Sequence, residues 1–282
     1  MRLDHNLPPC TITPDRLRTL IFDWAGTTVD FGSLAPVRTL QKVFEQFGVP
    51  VSESEARRDM GLRKRDHVAA ILSMARVQTA WKDSHGNHPL DSDVEAVYER
   101  FVPLQFECLA QYSTVIPGVS QAIEKARSRG LRIGSTTGYT RAMLDVLLIS
   151  GAREGFNPDF SVTPEEVGAG RPLPFMIFEN AVRLQVYPLA AIAKIGDTVA
   201  DIQEGLNAGV WSIGVAATGN MVGLSKSDLD GLPEAHREER LRTARENLRE
   251  AGAHYVIDTL DELEDVLGDI DSLLRAAAGK RS

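Results

Sequence analysis

Two apolar segments of the chain each end at an aspartate. The first leads into Asp23 and then Gly26, and the second leads into Asp197, with Asp201 one helical turn further on. Ligands bind at the carboxyl ends of the strands in an open parallel sheet. Carboxylates there hold Mg²⁺ beside phosphates, and a glycine lets backbone amides approach an anion. Taken alone, the first segment would equally fit a strand end with a local turn, and the second would equally fit a helix N-cap with an acid in its first turn. The two segments together are therefore stronger evidence for a ligand site than either one.

Two weaker signals accompany them. The motif STTGYT at 135–140 places hydroxyl groups at another strand end. The motif GRPLPF at 170–175 holds the cation Arg171 in front of two prolines. Each of these two motifs is weak evidence when taken alone.

The motif MGLRKRDHV at 60–68 suggests a different chemistry. Lys64 lies at the predicted start of a helix, between Arg63 and Arg65. The positive helix end and the two cations are expected to disfavour its ammonium form, and a neutral lysine amine forms a Schiff base with a carbonyl compound. His67 lies one turn later on the same face and is the candidate proton carrier. The plainer interpretation of this motif is an exposed basic helix start.

Short apolar runs alternate with helical stretches after residue 130, which predicts an α/β fold with a Rossmann-like parallel sheet core. The strand candidates are 20–22, 131–135, 159–163, 191–195, 211–215 and 254–258. The helix candidates that alternate with them are 119–129, 141–149, 174–186, 199–208, 234–251 and 261–274. This alternation brings the candidate residues to one edge of the sheet.

Residues 33–111 break the alternation. Helical spacing is present at 35–47, 64–75 and 91–111, with a polar loop predicted at 81–93 and no convincing strand between them. The sequence therefore predicts an inserted α-helical cap domain, with hinges near Gly32 and Pro117. The predicted organisation is an N-terminal extension at 1–18, a first core segment at 19–32, the cap at 33–111 and the remaining core at 112–282.

Composition excludes several classes of partner. The formal net charge of −8 disfavours nucleic acid and anionic membranes, because both would repel the chain. Cys10 and Cys108 are far apart and form no metal or disulfide motif, which suits a reducing, cytoplasmic location. The first residues carry no signal-peptide pattern, and no later run is apolar and long enough to span a membrane.

Taken in order, these motifs resemble those of the haloacid dehalogenase superfamily. The resemblance implies that Asp23 is the nucleophile and that Mg²⁺ is held by Asp23, the backbone carbonyl of Ala25 and Asp197, with Asp201 in support. It further implies that Thr137, or less strongly Thr136, binds the phosphoryl oxygens and that Arg171 stands where lysine is more usual. Superfamily phosphatases carry an acid two residues after the nucleophile to protonate an alkoxide leaving group, and here that position is Ala25.

With Ala25 in place of this acid and with Lys64 in the cap, the sequence resembles the phosphonatases of the superfamily. That resemblance implies hydrolysis of the carbon–phosphorus bond of a small-molecule phosphonate, phosphonoacetaldehyde, to acetaldehyde and phosphate. It also implies a homodimer that pairs through the cap. Met60, Gly61 and Tyr139 are expected to shape the substrate pocket, and Thr27 joins the candidate substrate-binding residues.

Two alternatives remain open. The first is a Mg²⁺-dependent phosphate-ester phosphatase or phosphomutase on the same scaffold, against which Ala25 counts. The second is a non-enzymatic binding protein on a decayed scaffold. The retention of Asp23, Arg171 and Asp197 counts against that possibility, because a decayed site is expected to lose such residues.

Overall fold

The computed structural model describes residues 14–279 and centres on one parallel sheet. Its strands are β1 (Thr19–Phe22), β2 (Arg132–Thr136), β3 (Phe160–Val162), β4 (Ile192–Gly196), β5 (Trp211–Val215) and β6 (Tyr255–Ile257). The strand order is β3-β2-β1-β4-β5-β6, and every pairing is parallel. The four residues of β1 are fully buried, as expected for a central strand covered on both faces. The predicted parallel α/β core is confirmed.

Five helices lie between β1 and the next core helix. They are α1 (Leu34–Gln46), α2 (Glu53–Arg58), α3 (Lys64–Leu72), α4 (Ala75–His85) and α5 (Asp91–Leu109). Helix α1 packs on α5, and α5 packs on α3, so these helices form a layer of their own. Among the described residues 33–111 no strand is present. We call this segment the cap, and its exact boundaries stay a prediction.

The remaining helices cover the sheet. They are α6 (Val119–Ser128), α7 (Arg141–Arg153), α8 (Pro164–Val167), α9 (Phe175–Arg183), α10 (Val199–Ala208), α11 (Lys226–Asp230), α12 (Glu234–Glu250) and α13 (Leu263–Gly279). None of the described helices has the length and apolarity needed to cross a bilayer. The predicted N-terminal extension at 1–18 lies mostly outside the described residues.

The sequence-based boundaries are wrong in two places in the cap. A single helix was expected at 64–75, but α3 ends at Leu72 and a separate helix, α4, begins at Ala75. The predicted loop at 81–93 is therefore helical up to His85, because Val77 and Trp81 are one turn apart and both bury in the core. Helix α2 was not predicted.

Candidate active site at the cap–core junction

Strand register brings the predicted residues together. In β1, Phe22 pairs with residues of both β2 and β4, and the Asp23 amide extends the ladder by donating to the Ile195 carbonyl oxygen at 2.9 Å. Thr137 and Asp197 follow the last residues of β2 and β4. These three side chains therefore start from neighbouring points on one edge of the sheet, at the reversal of strand order where α/β proteins bind ligands.

Three buried carboxylates meet at this edge. Oxygen atoms of Asp23, Asp197 and Asp201 all lie within 4.8 Å of one another. Burial and the neighbouring carboxylates raise the pKa of Asp23 and raise that of Asp197 well above its ordinary value. Burial also opposes ionisation of Asp201, but Arg171 and Lys194 outweigh it and hold that pKa below its ordinary value. Crowded carboxylates of this kind suit a hard divalent cation, so the donor set fits Mg²⁺.

The turn after β1 is fitted closely around Asp197. Gly26 has φ 87°, and a Cβ there would lie 2.3 Å from Asp197 Oδ2. Thr27 Oγ1 donates to Asp197 Oδ1 at 3.1 Å, and the Asn220 amide donates to Asp197 Oδ2 at 2.7 Å. Thr27, expected to bind substrate, thus contacts a candidate metal ligand and lies outside the residues lining the cavity described below. Its substrate role stays a prediction.

Arg171 is the central cation of the site. Its Nη2 lies 2.7 Å from Asp23 Oδ1, its Nη1 lies 3.1 Å from Asp201 Oδ1, and its Nε donates to Glu204 Oε2 at 3.0 Å. The side chain is 1% exposed, and despite burial the surrounding carboxylates raise its pKa. The planar guanidinium thus holds the carboxylates of Asp23 and Asp201 and places positive charge at this edge of the sheet.

Sequence reasoning missed a second buried cation and a fourth buried acid. Lys194 Nζ lies 2.8 Å from Asp201 Oδ1 and donates to Thr136 Oγ1 at 3.0 Å. Thr136 Oγ1 also accepts from Arg171 and donates to Glu204. The only signal for this cluster was a lysine inside an otherwise apolar strand. Of the two candidate threonines, Thr136 is engaged by Arg171, Lys194 and Glu204, whereas Thr137 lines the cavity described below.

Lys64 occupies the first position of α3 and is 5% exposed. Burial, with a smaller contribution from Arg171, lowers its pKa to about 8 against the opposing effect of Asp23. The expected cause was wrong: Arg63 and Arg65 are not responsible, since each forms an ion pair with a neighbouring acid near the surface. The amine is nevertheless tuned toward its nucleophilic neutral form.

Tyr139 and the loop before α3 enclose Lys64. The Lys64 Nζ lies 4.7 Å from the centre of the buried Tyr139 ring. Gly61 has φ 92°, and a Cβ there would lie 2.4 Å from Thr198 Oγ1. A Cβ at Gly138 would lie 2.4 Å from the Leu62 carbonyl oxygen. The cap loop and the core are thus in backbone contact beside the amine.

His67 lies one turn after Lys64 and is fully buried. Burial, together with the charge of Lys64, lowers its pKa to about 3. Neither ring nitrogen makes a hydrogen bond of normal geometry, although the Ala56 backbone slightly favours the protonated ring. His67 does not line the cavity next to Lys64, so its role as proton carrier stays a prediction.

A cavity of about 20 Å³ separates the cap from the core at this point. It is lined by Asp23, Ala25, Ser33, Pro36, Met60, Gly61, Lys64, Thr137, Gly138, Tyr139, Arg171 and Thr198. This space holds little more than one or two water molecules. The cap and the core therefore leave little free space between Lys64 and Asp23.

Comparisons with known proteins agree with this geometry. The model of the haloacid dehalogenase-like hydrolase family matches residues 17–209. A phosphonoacetaldehyde hydrolase from Bacillus cereus is 43% identical over 256 residues, which are 91% of this chain and 97% of the relative. The chain belongs to the phosphonoacetaldehyde hydrolase family of haloacid dehalogenase-like hydrolases. The chain is therefore an enzyme of this hydrolase family.

A second curated relative and a solved structure are also similar to this chain. A bifunctional phosphonoacetaldehyde hydrolase/aminoethylphosphonate transaminase from Clostridioides difficile is 42% identical over 92% of this chain, which spans 41% of that longer protein. The crystal structure of a phosphonoacetaldehyde hydrolase-like protein from Oleispira antarctica has a TM-score of 0.90 at 38% identity, covering 92% of this chain and 94% of that chain. These similarities confirm the predicted superfamily and fold class.

Proposed function

We propose that this enzyme hydrolyses the carbon–phosphorus bond of phosphonoacetaldehyde to acetaldehyde and phosphate. One observation carries the proposal: a buried amine, Lys64, and a buried carboxylate, Asp23, line one cavity in which Ala25 replaces the acid of a phosphatase. The names of the relatives support the choice of substrate.

The first covalent step uses Lys64. Its neutral Nζ attacks the aldehyde carbon to give a carbinolamine, which takes up one proton from solvent and loses water to leave a protonated imine. Asp23 then attacks phosphorus in line, the carbon–phosphorus bond breaks, and its electron pair moves into the iminium to give an enamine. The enamine takes a proton at carbon, and water hydrolyses the resulting imine to acetaldehyde and free Lys64. A second water hydrolyses the aspartyl phosphate on Asp23.

This chain's residues account for the charge in those steps. Arg171 lies 2.7 Å from Asp23 and is placed to neutralise phosphonate oxygens, with Thr137 as the hydroxyl donor. Asp23, Asp197 and the carbonyl of Ala25 would hold Mg²⁺, with Asp201 in support. When bound, Mg²⁺ supplies Lewis-acid stabilisation of the phosphoryl oxygens. No alkoxide leaves, so the mechanism needs no acid at Ala25.

The phosphatase and phosphomutase alternative is less well supported. It needs a general acid near the leaving oxygen, and the residue at that position, Ala25, has no proton to give. It also gives no reason for burying Lys64, which would be dispensable in that chemistry. A binding protein is disfavoured because the intact carboxylate and arginine cluster has the arrangement of a reactive centre.

The predicted homodimer and the cytoplasmic location stay predictions. Large exposed apolar side chains among the described residues lie on α9, at Phe175, Phe178 and Val182, and in the cap at Leu90.

Borohydride trapping tests the mechanism directly. With phosphonoacetaldehyde present, reduction is expected to fix an adduct on Lys64, mapped by mass spectrometry. Lys64→Arg should abolish both adduct and phosphate release, because arginine forms no Schiff base. Lys125→Arg, an exposed lysine of α6, is the matched control and should behave as wild type. Turnover of phosphonoacetaldehyde by Lys64→Arg at a rate near that of wild type would refute the Schiff-base mechanism.

Asp23→Ala separates the two halves of the reaction. Phosphate release should vanish, because no carboxylate remains to attack phosphorus, while trapping on Lys64 should survive. Loss of trapping in a folded Asp23→Ala enzyme would show that the two residues do not divide the work as proposed. Turnover of sugar phosphates by Lys64→Arg would instead support the phosphatase alternative.

A further inference from the structure

The guanidinium of Arg57, near the end of α2, reaches out of the cap to the core. Its Nη1 donates to the carbonyl oxygens of Gly32 at 2.9 Å and Ser33 at 3.4 Å, where the chain enters the cap. Its Nη2 donates to the carbonyl oxygen of Gly223 at 2.9 Å, in the core loop after β5. One side chain of the cap thus contacts both the segment that leads into the cap and the core.

The same core loop reaches the carboxylate cluster through Asn220. Arg57 Nη1 donates to Asn220 Oδ1 at 3.1 Å, and Asn220 Nδ2 donates back to the Arg57 carbonyl oxygen at 3.1 Å. The backbone amide of Asn220 donates to Asp197 Oδ2 at 2.7 Å. A displacement of Arg57 is therefore transmitted through one residue to a candidate metal ligand.

The residues around this contact are closely packed. Gly223 has φ 67°, and a Cβ there would lie 2.7 Å from Arg57 Cζ. A Cβ at Gly32 would lie 2.2 Å from the Leu224 carbonyl oxygen. On its outer side Arg57 Nε donates to Glu53 at 2.7 Å, which holds the guanidinium plane in this orientation.

Arg57 also stands next to the loop that carries the reactive amine. Met60 and Gly61, which line the cavity, follow α2 directly and lead into Lys64 at the start of α3. The cavity has room for only one or two water molecules, so we infer that the cap opens to admit a substrate and closes again in each turnover. Each closure must return Lys64 to the same place opposite Asp23.

We propose that Arg57 is a positioning residue that latches the closed cap. Its hydrogen bonds to Gly32, Asn220 and Gly223 form when the cap closes, and they fix the position of Lys64 relative to the core. Through Asn220 they also orient Asp197. The statement about Lys64 rests on the proposed function, whereas the latch itself is a property of the cap–core contact.

Arg57→Ala and Arg57→Lys test the latch, with Arg76→Ala as the matched control. Arg76 makes comparable arginine contacts to Glu55 and the Pro50 carbonyl oxygen, but both partners lie within the cap. Arg57→Ala should lower kcat/KM and the rate of borohydride trapping by about ten-fold or more, the effect of losing hydrogen bonds to a charged group. Arg57→Lys keeps the positive charge but loses the planar guanidinium, so its kcat/KM and trapping rate should lie between those of wild type and Arg57→Ala. Arg76→Ala should match wild type.

Two readouts distinguish positioning from a general loss of structure. Arg57 is 12% exposed, so millimolar guanidinium should restore part of the activity of Arg57→Ala, while sodium chloride of equal ionic strength should not. Amide hydrogen exchange should quicken at residues 32–34 and 219–224 in Arg57→Ala and stay unchanged in Arg76→Ala.

Failure of the latch is distinct from failure of the proposed function. If wild type releases no acetaldehyde, the function is wrong, and hydrogen exchange still tests the latch. If Arg57→Ala, or Arg57→Lys should the alanine variant not fold, matches Arg76→Ala in exchange and trapping rate, the latch is refuted. Loss of activity that guanidinium does not restore, with exchange raised evenly across the chain, also refutes it.

Discussion

Replacement of Lys64 by methionine should stabilise the protein while removing its activity. Methionine has a similar unbranched length and no charge, so it fills the buried site without the ammonium. Burial lowers the Lys64 pKa from 10.5 to about 8. One pKa unit corresponds to about 1.36 kcal/mol, so burial of the charged form costs about 3 kcal/mol at pH 7. Active-site groups commonly lower stability in this way.

The predicted difference depends on pH in a defined direction. Below pH 8 both folded and unfolded wild type carry the proton on Lys64, and the folded state bears the full penalty. Between about pH 8 and pH 10.5 the unfolded chain binds a proton that the folded chain has released, so the stability of wild type rises with pH. The advantage of Lys64→Met should therefore shrink across that window.

Thermal unfolding at several pH values measures this effect. About 2 °C per kcal/mol is expected for a chain of this size, so Lys64→Met should melt roughly 6 °C above wild type at pH 7. Lys125→Met, at an exposed position, controls for the loss of a surface charge. A Lys64→Met midpoint at or below that of wild type at pH 7, or a difference that ignores pH, would refute the reasoning.

Three other changes have defined outcomes. Gly26→Ala places a Cβ against Asp197 and should weaken Mg²⁺ binding, measured by calorimetry, by about 10- to 100-fold; unchanged binding would contradict the fitted turn. Arg171→Lys cannot reach all its carboxylate partners and should slow phosphate release by about 100-fold; a loss below about two-fold would contradict its central role. The initial rate of borohydride trapping on Lys64 should rise about ten-fold per pH unit up to about pH 8 and then level off; a flat profile would count against a titrating amine.

Local patterns predicted most of the elements because burial imposes the pattern directly. Most strands of the sheet lie in short, largely apolar runs of the sequence, since parallel strands are covered on both faces. Helix α2 was missed although Ser52 and Glu55 form a capping box, because its single buried residue, Ala56, leaves no apolar stripe. The break between α3 and α4 was missed because apolar spacing continues across it.

The sequence by itself determined which groups meet at the sheet edge. Asp23, Thr137 and Asp197 each follow an apolar strand, and strand ends gather wherever a parallel sheet forms. It also determined that Ala25 cannot act as an acid. These conclusions need only residue types and their distance from a strand.

Only the tertiary structure decided the electrostatics of the site. Lys64 was expected to lose its proton because of Arg63 and Arg65, whereas burial and Arg171, far away in sequence, lower its pKa. Lys194 joins the carboxylate cluster for the same reason: its neighbours come from other elements of the fold. Desolvation and charge proximity depend on three-dimensional packing, which spacing along the chain does not contain.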